Sequence, residues 1–452
     1  MLKMQRQEKF LKSVFRIALP VTLQSLLQSS FSVIDQLMIG TLGSHSIAGV
    51  GLGGKFVSVY SVLLAAVSAA AGIMISQYMG QREEKEVSRS FFANLFLAAG
   101  LAFVFTGMCV FFPDKIMAFY TKDDVTKDIA VSYLRIMAFS YLPMAVSSLL
   151  STMLRCMEAA VFPLYASIIA VAFNTVFNYL FIFGKAGLPP MNAEGAAYAT
   201  VISQGILSIL ILLFFLGHYR RQEMRLVFLV RFQGKGQKQY LGILFPIIAC
   251  EFFWSLGENV YTAIYGNMGT NAISAMTLTV PVQSLLIGAL GGLSQAAGIL
   301  VGKSLGRGEY ERAYEDSKRL MLYGLCGSLL LSVLLVLTGK YYVRSYPVEF
   351  SVQVTAYQIL TAFAVIVPVK IQNMILGGGI LRSGGKTNYV MCIDFVGTWL
   401  FGVPLGIFGA FFWKLEIPYV YFVLSLEECV RLFISLLLFR KKIWMISLDV
   451  QK

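Results

Sequence analysis

Apolar segments of about 20 residues, each long enough to cross a bilayer as a helix, recur along the whole chain. Their spacing predicts an all-α integral membrane protein with twelve transmembrane helices. One long polar connection, residues 218–240, is basic and lacks apolar periodicity. It predicts a cytoplasmic linker between an N-terminal six-helix lobe, residues 1–217, and a C-terminal six-helix lobe, residues 241–452.

The first apolar segment has one polar face. The residues at helical spacing on this face are Gln24, Gln28, Ser32 and Asp35. A carboxylate at membrane depth costs several kcal/mol, so Asp35 is expected to face a bundle interior or a water-filled cavity. The alternative is that Asp35 lies near the outer interface and hydrogen-bonds the following loop. Pro20, in the same segment, predicts a place where the helix can bend when Asp35 changes its charge.

The second half of the chain repeats the first with a constant offset. Matching residues 226 positions apart include Gly40 and Gly266, Ser68 and Ser294, and Gly80 and Gly306. Further on, Arg155 matches Arg382 at an offset of 227. The chain is therefore a duplicated six-helix unit, and because six is even, both copies enter the membrane from the same side. A parallel repeat around one central cavity is the architecture of an alternating-access carrier.

Composition and charge agree with a membrane protein. Hydrophobic residues make up 57% of the chain, charged residues make up 13%, and the mean hydropathy of +0.71 excludes a soluble protein. The net charge of +13 would suit a nucleic-acid partner, but 26 of the 37 Lys and Arg fall in segments predicted on the inner side. This positive-inside bias argues against nucleic acid and predicts a multi-pass protein of the plasma (inner) membrane with both termini in the cytoplasm.

Residues that the repeat does not copy are the candidates for chemistry. Asp35 has Tyr261 as its counterpart, and the amides of helix 5 have no amide or acid opposite them. Four residues would supply oxygen ligands for Na⁺ or a site for a proton: Asp35, Asn174, Asn178 and Thr200. Either ion would couple its movement to helix position, because neutralising Asp35 removes the cost of burying it. The alternative is that the asparagines only join helices by hydrogen bonds.

A second polar set lies in the C-terminal half. One face of predicted helix 7 carries acidic and aromatic residues at spacings of three and four: Glu251, Trp254, Glu258, Tyr261 and Tyr265. Asp394 lies within predicted helix 11. Acidic and aromatic groups at membrane depth suit a large organic cation, through charge and cation–π attraction. This set is the candidate substrate-binding or second-lobe polar site.

Further charges in the second half are expected to offset one another. Arg431 follows Glu427 and Glu428 by four and three residues, so at least one pair should neutralise itself on predicted helix 12. Lys370, on predicted helix 10, could likewise offset Asp394 or one of the acids of helix 7.

The sequence lacks enzyme signatures. It contains no GxxxxGK[ST] phosphate-binding motif, so this chain is not expected to use ATP. Its two histidines lie in predicted loops and its six cysteines have no paired spacing. These patterns favour neither a catalytic or metal centre nor a disulfide framework. No cofactor is expected, apart from Na⁺ if it is the coupling ion.

Longer motifs occur in both halves of the chain. They include VIDQLMIGTLG at 33–43, FNTVFNYLFIFG at 173–184, EGAAYATVIS at 194–203, YGNMGTNAISA at 265–275 and GILRSGGKT at 379–387. The chain resembles, over nearly its whole length, the multidrug and toxic compound extrusion (MATE) family. The resemblance implies two six-helix lobes arranged in a V and a first-lobe ion site at the four oxygen-bearing residues named above. Some members have an aspartate where this chain has Asn178, which lowers the charge of the site here.

Another branch of that family uses acids on helices 7 and 10. This chain has Glu251 on helix 7 but no acid between Tyr357 and Leu381, so a complete site of that type is not expected. Asp394 and Glu258 are weaker candidates to replace it.

The function predicted from the sequence is secondary antiport: export of amphipathic, cationic drugs or metabolites in exchange for H⁺ or Na⁺, by alternating access. The protein is expected to work as a monomer on small molecules. The alternatives are a flippase or exporter of a lipid-linked precursor, an exporter of one narrow class of metabolite, and a membrane receptor that transports nothing. A lipid flippase should have a cationic central cavity, whereas the intramembrane charges here are mainly acidic.

Overall fold

The computed structural model describes residues 2–220, 226–229, 235–346 and 348–450. In these ranges the chain forms helices and connecting turns, without a β-strand. The helices of the first half are α1 (Leu2–Gly40), α2 (Ser44–Gln81), α3 (Glu84–Phe111), α4 (Pro113–Tyr120), α5 (Asp124–Met137), α6 (Tyr141–Cys156), α7 (Val161–Phe183) and α8 (Asn192–Tyr219). Those of the second half are α9 (Lys235–Asn267), α10 (Thr270–Gly306), α11 (Tyr310–Arg344), α12 (Phe350–Asn373), α13 (Thr387–Phe395), α14 (Val403–Ile407), α15 (Ile417–Ser425) and α16 (Glu427–Arg440). Short 3₁₀ or π-helical segments extend several of them: Ala138–Ser140, Met374–Leu381, Val396–Gly402 and Phe408–Phe412.

Eleven helical spans in the described ranges are long and apolar enough to cross a membrane. They agree with the first eleven predicted helices. The twelfth predicted helix corresponds to α15 and α16, which Leu426 separates. Leu426 keeps a right-handed helical backbone, with φ −62° and ψ −17°, so the two pieces follow one another as one interrupted helix.

The described residues cluster into two compact units. Unit 1 contains Met1–Ser25, Ser76–Glu83 and Gln233–Lys452, and unit 2 contains Leu26–Ile75 and Glu84–Phe232. Both α1 and α2 therefore contribute residues to each unit. The division into two lobes with a linker at 218–240 stays a prediction, and residues 221–225 and 230–234 of that linker lie outside the described ranges.

The first part of α1 packs on α10 within unit 1. The helix continues through Pro20, which cannot donate a backbone hydrogen bond. Two residues further on, the Thr22 hydroxyl donates to the Ala289 carbonyl of α10 at 3.0 Å. Gly292 of α10 lies so close to α1 that a Cβ atom there would overlap the Ala18 carbonyl. This tertiary support stabilises the helix around Pro20, and a bend at Pro20 stays a prediction.

The ends of α2 and α10 cross at very short range within unit 1. Gly80 of α2 lies against Lys303 so closely that a Cβ atom at residue 80 would overlap the Lys303 carbonyl. Gly306 of α10 lies in the same way against the Gln77 carbonyl. The repeat relates these two contacts, because Gly80 corresponds to Gly306 and Gln77 corresponds to Lys303 at the offset of 226. The crossing is therefore a symmetric close approach of the two copies of the duplicated unit.

Replacing Gly306 by alanine is expected to lower thermal stability. A glycine-to-alanine change in a helix ordinarily stabilises it by up to about 1 kcal/mol. At residue 306 the new Cβ meets the backbone of Gln77, which cannot move cheaply, so overpacking should cost about 1–3 kcal/mol. The measurement is the unfolding midpoint of the purified protein in detergent.

The matched control is Gly291→Ala on the same helix, where no atom lies within 4 Å of the added Cβ. Its midpoint should equal or exceed that of the wild type. A Gly306→Ala midpoint as high as that of the control would contradict the close crossing of α2 and α10.

Candidate functional site

A carboxylate and two amides meet within unit 2. Asn174 and Asn178 lie four residues apart on α7, so they share one helix face, and both side chains are buried. The Asn178 Nδ2 group donates one hydrogen bond to the carboxylate of Asp35 on α1 and another to the Oδ1 atom of Asn174, the latter at 2.9 Å. The structure thus brings together three of the four residues that were predicted for the ion site.

The fourth predicted residue, Thr200, has a local hydrogen bond. Its hydroxyl donates to the Ala196 carbonyl one turn earlier in α8, at 2.9 Å. The start of α8 packs closely on α7, because a Cβ atom at Gly195 would meet the backbone of Phe181. A role of Thr200 in the ion site stays a prediction.

The remaining polar residues of the first helix have different surroundings. Gln24 is buried and Gln28 is exposed. The side chain of Ser32 lies outside the described residues. A continuous polar stripe that leads to Asp35 therefore stays a prediction.

The electrostatics of the Asp35 cluster are unbalanced. Asp35 is partly buried, and no cationic side chain in the described ranges forms an ion pair with it. The Oδ1 atom of Asn178 is buried without a hydrogen-bond partner among the described residues. Carboxylate and amide oxygens are ligands of hard cations, and a carboxylate also accepts a proton. The cluster therefore contains the ligand types that a small cation or a proton would need, and binding of an ion there stays a prediction.

Unit 1 contains a cavity of about 870 Å³ that holds a second and larger group of charges. Five carboxylates and three cationic side chains line it: Glu251, Glu258, Asp394, Glu427 and Glu428, with Lys370, Arg382 and Arg431. Trp254 and Tyr261 also line the cavity. Tyr265 lines it as well, so all six residues named for the second-lobe site in the sequence analysis surround one cavity.

Arg382 joins two of the predicted acids. Its Nη1 atom lies 3.3 Å from the Glu251 carboxylate of α9, and its Nη2 atom lies 3.9 Å from the Asp394 carboxylate of α13. The Cys250 thiol donates a further hydrogen bond to Asp394 at 2.8 Å. Arg382 is one of the 26 Lys and Arg that the charge pattern assigns to inner segments, but its side chain is only 15% exposed and lies in the cavity wall. The feature of the sequence that singles out Arg382 is its match with Arg155 in the internal repeat.

Arg431 lies among three acids. It is 3.3 Å from Glu427, 4.0 Å from Glu428 and 3.8 Å from Asp394. The structure therefore contains the predicted ion pairing within helix 12 and adds a contact to α13. The Thr398 hydroxyl accepts a hydrogen bond from the same guanidinium.

Tyr261 contacts the same group of charges. Its hydroxyl donates to the Glu427 carboxylate at 2.5 Å. Gly402 makes room for this bond, because a Cβ atom there would overlap both the Tyr261 hydroxyl and the Glu427 carboxylate. At the offset of 227, Glu427 is the repeat counterpart of Thr200, as Tyr261 is of Asp35 at 226. At these two related positions the first copy thus has its carboxylate on its first helix and the second copy on its last helix, while α9 carries further acids at other positions, Glu251 and Glu258.

Lys370 pairs differently from the prediction. Its Nζ atom lies 3.7 Å from the Glu428 carboxylate of α16, and not next to Asp394 or an acid of α9. Asp394 and Glu251 have Arg382 as their partner instead. The amide of Asn373 also donates to Glu428, at 2.8 Å.

Glu258 takes part in none of these ion pairs. Its side chain is exposed and lines the cavity. Trp254, one turn earlier on α9, is 44% exposed and lines the same cavity. A carboxylate without an ion pair in the described part of the chain and an accessible indole therefore lie on one face of α9.

Comparison with known proteins gives a family match in both halves. The family sequence model described as MatE matches residues 20–180 and 246–408 of this chain. The two matches begin 226 positions apart, which is the offset of the internal repeat.

Two curated relatives cover most of the chain. "Probable multidrug resistance protein NorM" of Thermotoga maritima is 25% identical over 402 residues, which are 87% of this chain and 84% of the relative. "Uncharacterized transporter YisQ" of Bacillus subtilis is 20% identical over 437 residues, 96% of this chain and 94% of the relative.

Two solved structures share the fold over 95% of both chains. One is described as "Crystal structure of MATE in complex with MaL6", with a TM-score of 0.87 and 17% identity. The other is described as a MOP superfamily transporter from Pyrococcus furiosus in which "reverse polarity of binding pocket suggests different function", with a TM-score of 0.84 and 16% identity. These matches confirm the all-α membrane fold that was predicted from the sequence.

Replacing Arg431 by methionine is expected to destabilise the protein strongly. The change removes the cation that three buried or partly buried acids share, and breaking a buried ion pair from one side costs about 3–5 kcal/mol. Adding Glu427→Gln to the variant should restore part of the loss, because one unpaired charge is removed with it. The unfolding midpoint in detergent measures both effects.

Arg135→Met is the matched control. Arg135 pairs with Asp114 at 3.0 Å, with both side chains more than half exposed, so its loss should cost about 0–1 kcal/mol. Equal midpoints for the two arginine variants would mean that the cavity charges do not depend on Arg431.

Proposed function

Because the chain belongs to the MatE family, whose members are transporters and not enzymes, we propose that it is a secondary antiporter. In this proposal it exports amphipathic, cationic drugs or metabolites in exchange for H⁺ or Na⁺. The multidrug resistance names of its relatives support the cargo class. The observation that carries the proposal is the position of the Asp35 carboxylate, which is hydrogen-bonded to Asn178, lies near Asn174 and has no cationic partner among the described residues.

The exchange of one cation at Asp35 would couple the gradient to a change of shape. When the site is empty, a charged carboxylate at membrane depth favours an arrangement that keeps it hydrated. When a proton or Na⁺ neutralises it, this cost disappears, and the helix can move to a drier environment. A carrier that alternates between the two arrangements moves the ion in one direction and the cargo in the other.

The choice of coupling ion follows from the ligands. Na⁺ would be held by oxygens of Asp35, Asn174 and Asn178, with Thr200 as a further candidate. The buried Oδ1 atom of Asn178, free of described hydrogen bonds, supports this arrangement. A proton would need Asp35 alone. We therefore keep both ions in the proposal, and separate gradients distinguish them.

The cargo would bind in the cavity of unit 1. Four of its five carboxylates share three cationic side chains, and Glu258 is the one outside these ion pairs. A cationic group of the cargo would pair with Glu258, while a planar apolar part would contact the exposed indole of Trp254. In this view Glu251, Tyr261 and Asp394 keep the charged wall in place and contact the cargo from the other sides.

A lipid-linked precursor is the alternative cargo. The phosphates of such a molecule need free cationic groups, but the three cationic side chains of the cavity all have carboxylate partners. This pairing favours a cation over a phosphate. An exporter of one narrow class of metabolite would have the same cavity. The range of dyes that the protein transports would distinguish a multidrug exporter from an exporter of narrow specificity.

We further propose that the chain works as a monomer in the plasma (inner) membrane with both termini in the cytoplasm. The excess of Lys and Arg in the segments between predicted inner helix ends supports this orientation.

Asp35→Asn is expected to abolish gradient-driven transport, because the amide cannot take up a proton or neutralise Na⁺. The measurement is efflux of a fluorescent cationic dye from proteoliposomes, with a pH gradient and a Na⁺ gradient imposed separately. The effective gradient names the ion. Asp128→Asn, at an exposed position of α5, is the matched control and should transport like the wild type.

Transport that survives in Asp35→Asn would move the coupling site to the acids of unit 1. If the wild type moves no dye under either gradient, the multidrug proposal fails. A narrow metabolite or a lipid-linked precursor would then be the cargo to test.

Glu258→Gln is expected to weaken binding of a cationic dye by about tenfold, or about 1.4 kcal/mol, with little effect on an uncharged dye of similar shape. The loss of one charge explains the difference between the two dyes. Equilibrium titration of the purified protein measures it without transport. Glu315→Gln, at an exposed position of α11, is the control. Equal weakening for both dyes would mean that Glu258 shapes the cavity and does not select charge.

A further inference from the structure

Residues 441–450, here called the tail, follow α16 without forming another helix. Lys442 has a positive φ of 56°, which reverses the chain. Trp444 is 1% exposed, and its ring stacks on that of Phe439 in α16, with centroids 5.7 Å apart. Its carbonyl lies directly against Gly384, where a Cβ atom would overlap it. The tail is therefore seated in unit 1 by a buried aromatic anchor.

Two glutamines of α2 bind the backbone of the tail. The Gln77 side chain donates to the Ile446 carbonyl at 3.2 Å and accepts from the Leu448 amide at 2.8 Å. One turn later, the Gln81 amide donates to the Leu448 carbonyl at 2.7 Å and to the Ser447 hydroxyl at 2.8 Å. The tail thus finds, on α2, partners for backbone groups that have no helix or sheet of their own.

Tyr78 adds a third connection. Its hydroxyl donates to the Asp449 carbonyl at 3.1 Å and accepts from the Gln239 amide of α9 at 2.9 Å. Gln239 in turn accepts from the Asp449 amide at 3.1 Å. These bonds form a small network that fixes α2, α9 and the tail together.

Because of this network, the tail is stable when it is fully bound to α2 and unfavourable when it is only partly detached. Gln77 is fully buried, and its amide also donates to the Ser383 carbonyl at 2.6 Å. If the tail left while α2 stayed in place, the buried oxygen of Gln77 and the backbone of Leu448 would both lose their partner. Unpaired buried polar groups are costly, so intermediate arrangements are disfavoured.

The repeat shows that this arrangement is specific to α2. The counterparts of its three tail-binding residues on α10 are Lys303, Ser304 and Arg307. None of them keeps the amide or phenol group of its mate. The crossing of α2 and α10 is symmetric, but only α2 has this set of hydrogen bonds to the tail.

We propose that the tail is a strap that fastens the end of α2 at its crossing with α10, and that each transport cycle requires α2 to detach from it. This inference rests on the proposed transport function. A carrier that opens on the side where α2 and α10 end must separate their crossing. The tail stays behind with α11 and α16, because Trp444 is anchored there and Lys442 pairs with Glu311 of α11 at 3.0 Å.

The test bridges the strap to α2 reversibly. Cysteines are introduced as Gln81→Cys with Ser447→Cys, whose native side chains are in hydrogen-bond contact, and are joined by a short bifunctional methanethiosulfonate. Dye efflux is measured before bridging, after bridging and after reduction. We expect transport to stop on bridging and to return on reduction, while dye binding to the unit 1 cavity is unchanged. Each single-cysteine variant, treated alike, corrects for the six native cysteines.

The matched control bridges the strap to α11 through Glu311→Cys with Lys442→Cys. This link holds the strap where it is proposed to remain, so transport should continue. Undiminished transport with the α2 bridge in place would overturn the proposal. Loss of transport with both bridges would also overturn it, because the strap itself would then have to leave.

A second measurement covers the case in which the double variants transport poorly even when reduced. In the single variant Ser447→Cys, the rate of labelling by a maleimide is followed at that residue by mass spectrometry. Turnover conditions, with dye and gradient present, should speed labelling relative to dye alone. An unchanged rate in a protein that is exporting dye would refute detachment. A protein that exports no dye at any stage would instead refute the proposed function.

Discussion

An ionised side chain at membrane depth needs a partner of opposite charge, and the two units meet this requirement differently. In unit 1, Arg382, Arg431 and Lys370 each lie next to at least one carboxylate, so most of the charge is neutralised within the protein. In unit 2, the Asp35 carboxylate accepts a hydrogen bond from the neutral amide of Asn178 and has no cationic partner among the described residues. A cation from outside the protein is the remaining way to neutralise it, which is why we place the coupling ion there.

The internal duplication explains how one chain contains both arrangements of charge, the ion-paired group of unit 1 and the Asp35 carboxylate of unit 2. The repeat places Tyr261 at the position of Asp35, and Glu427 at the position of Thr200. In the second copy, Glu427 of the last helix lies within reach of Arg431 and the Tyr261 hydroxyl, and the first helix carries further acids at other positions. The same scaffold carries an acid with no counterion among the described residues in one copy, and a largely ion-paired group of charges around a cavity in the other. Gene duplication followed by this exchange separates ion coupling from cargo binding in the mechanism that we propose.

Close backbone contacts limit how the helices can move. Gly80 and Gly306 bring the ends of α2 and α10 together, and Gly292 brings α10 against α1. Packing of this kind leaves little room for gradual sliding, so the helices either stay in contact or separate. The tail adds hydrogen bonds from Gln77 and Gln81 to the same crossing. In the proposed cycle, the energy of ion binding at Asp35 must exceed the cost of breaking such contacts.

Hydropathy and the charge bias were sufficient to predict an all-α membrane fold, because burial in a membrane requires long apolar helices whichever helices they pack against. The constant offset was sufficient to predict the internal repeat. Helical spacing also placed Asn174 with Asn178 and Glu427 with Arg431, since neighbours on one helix face are readable from sequence. Contacts between distant helices are not readable in this way. Only the tertiary structure decides which helices pack together. Three features depend on that packing: Lys370 pairs with Glu428, Arg382 lies in the cavity wall, and the tail binds Gln77.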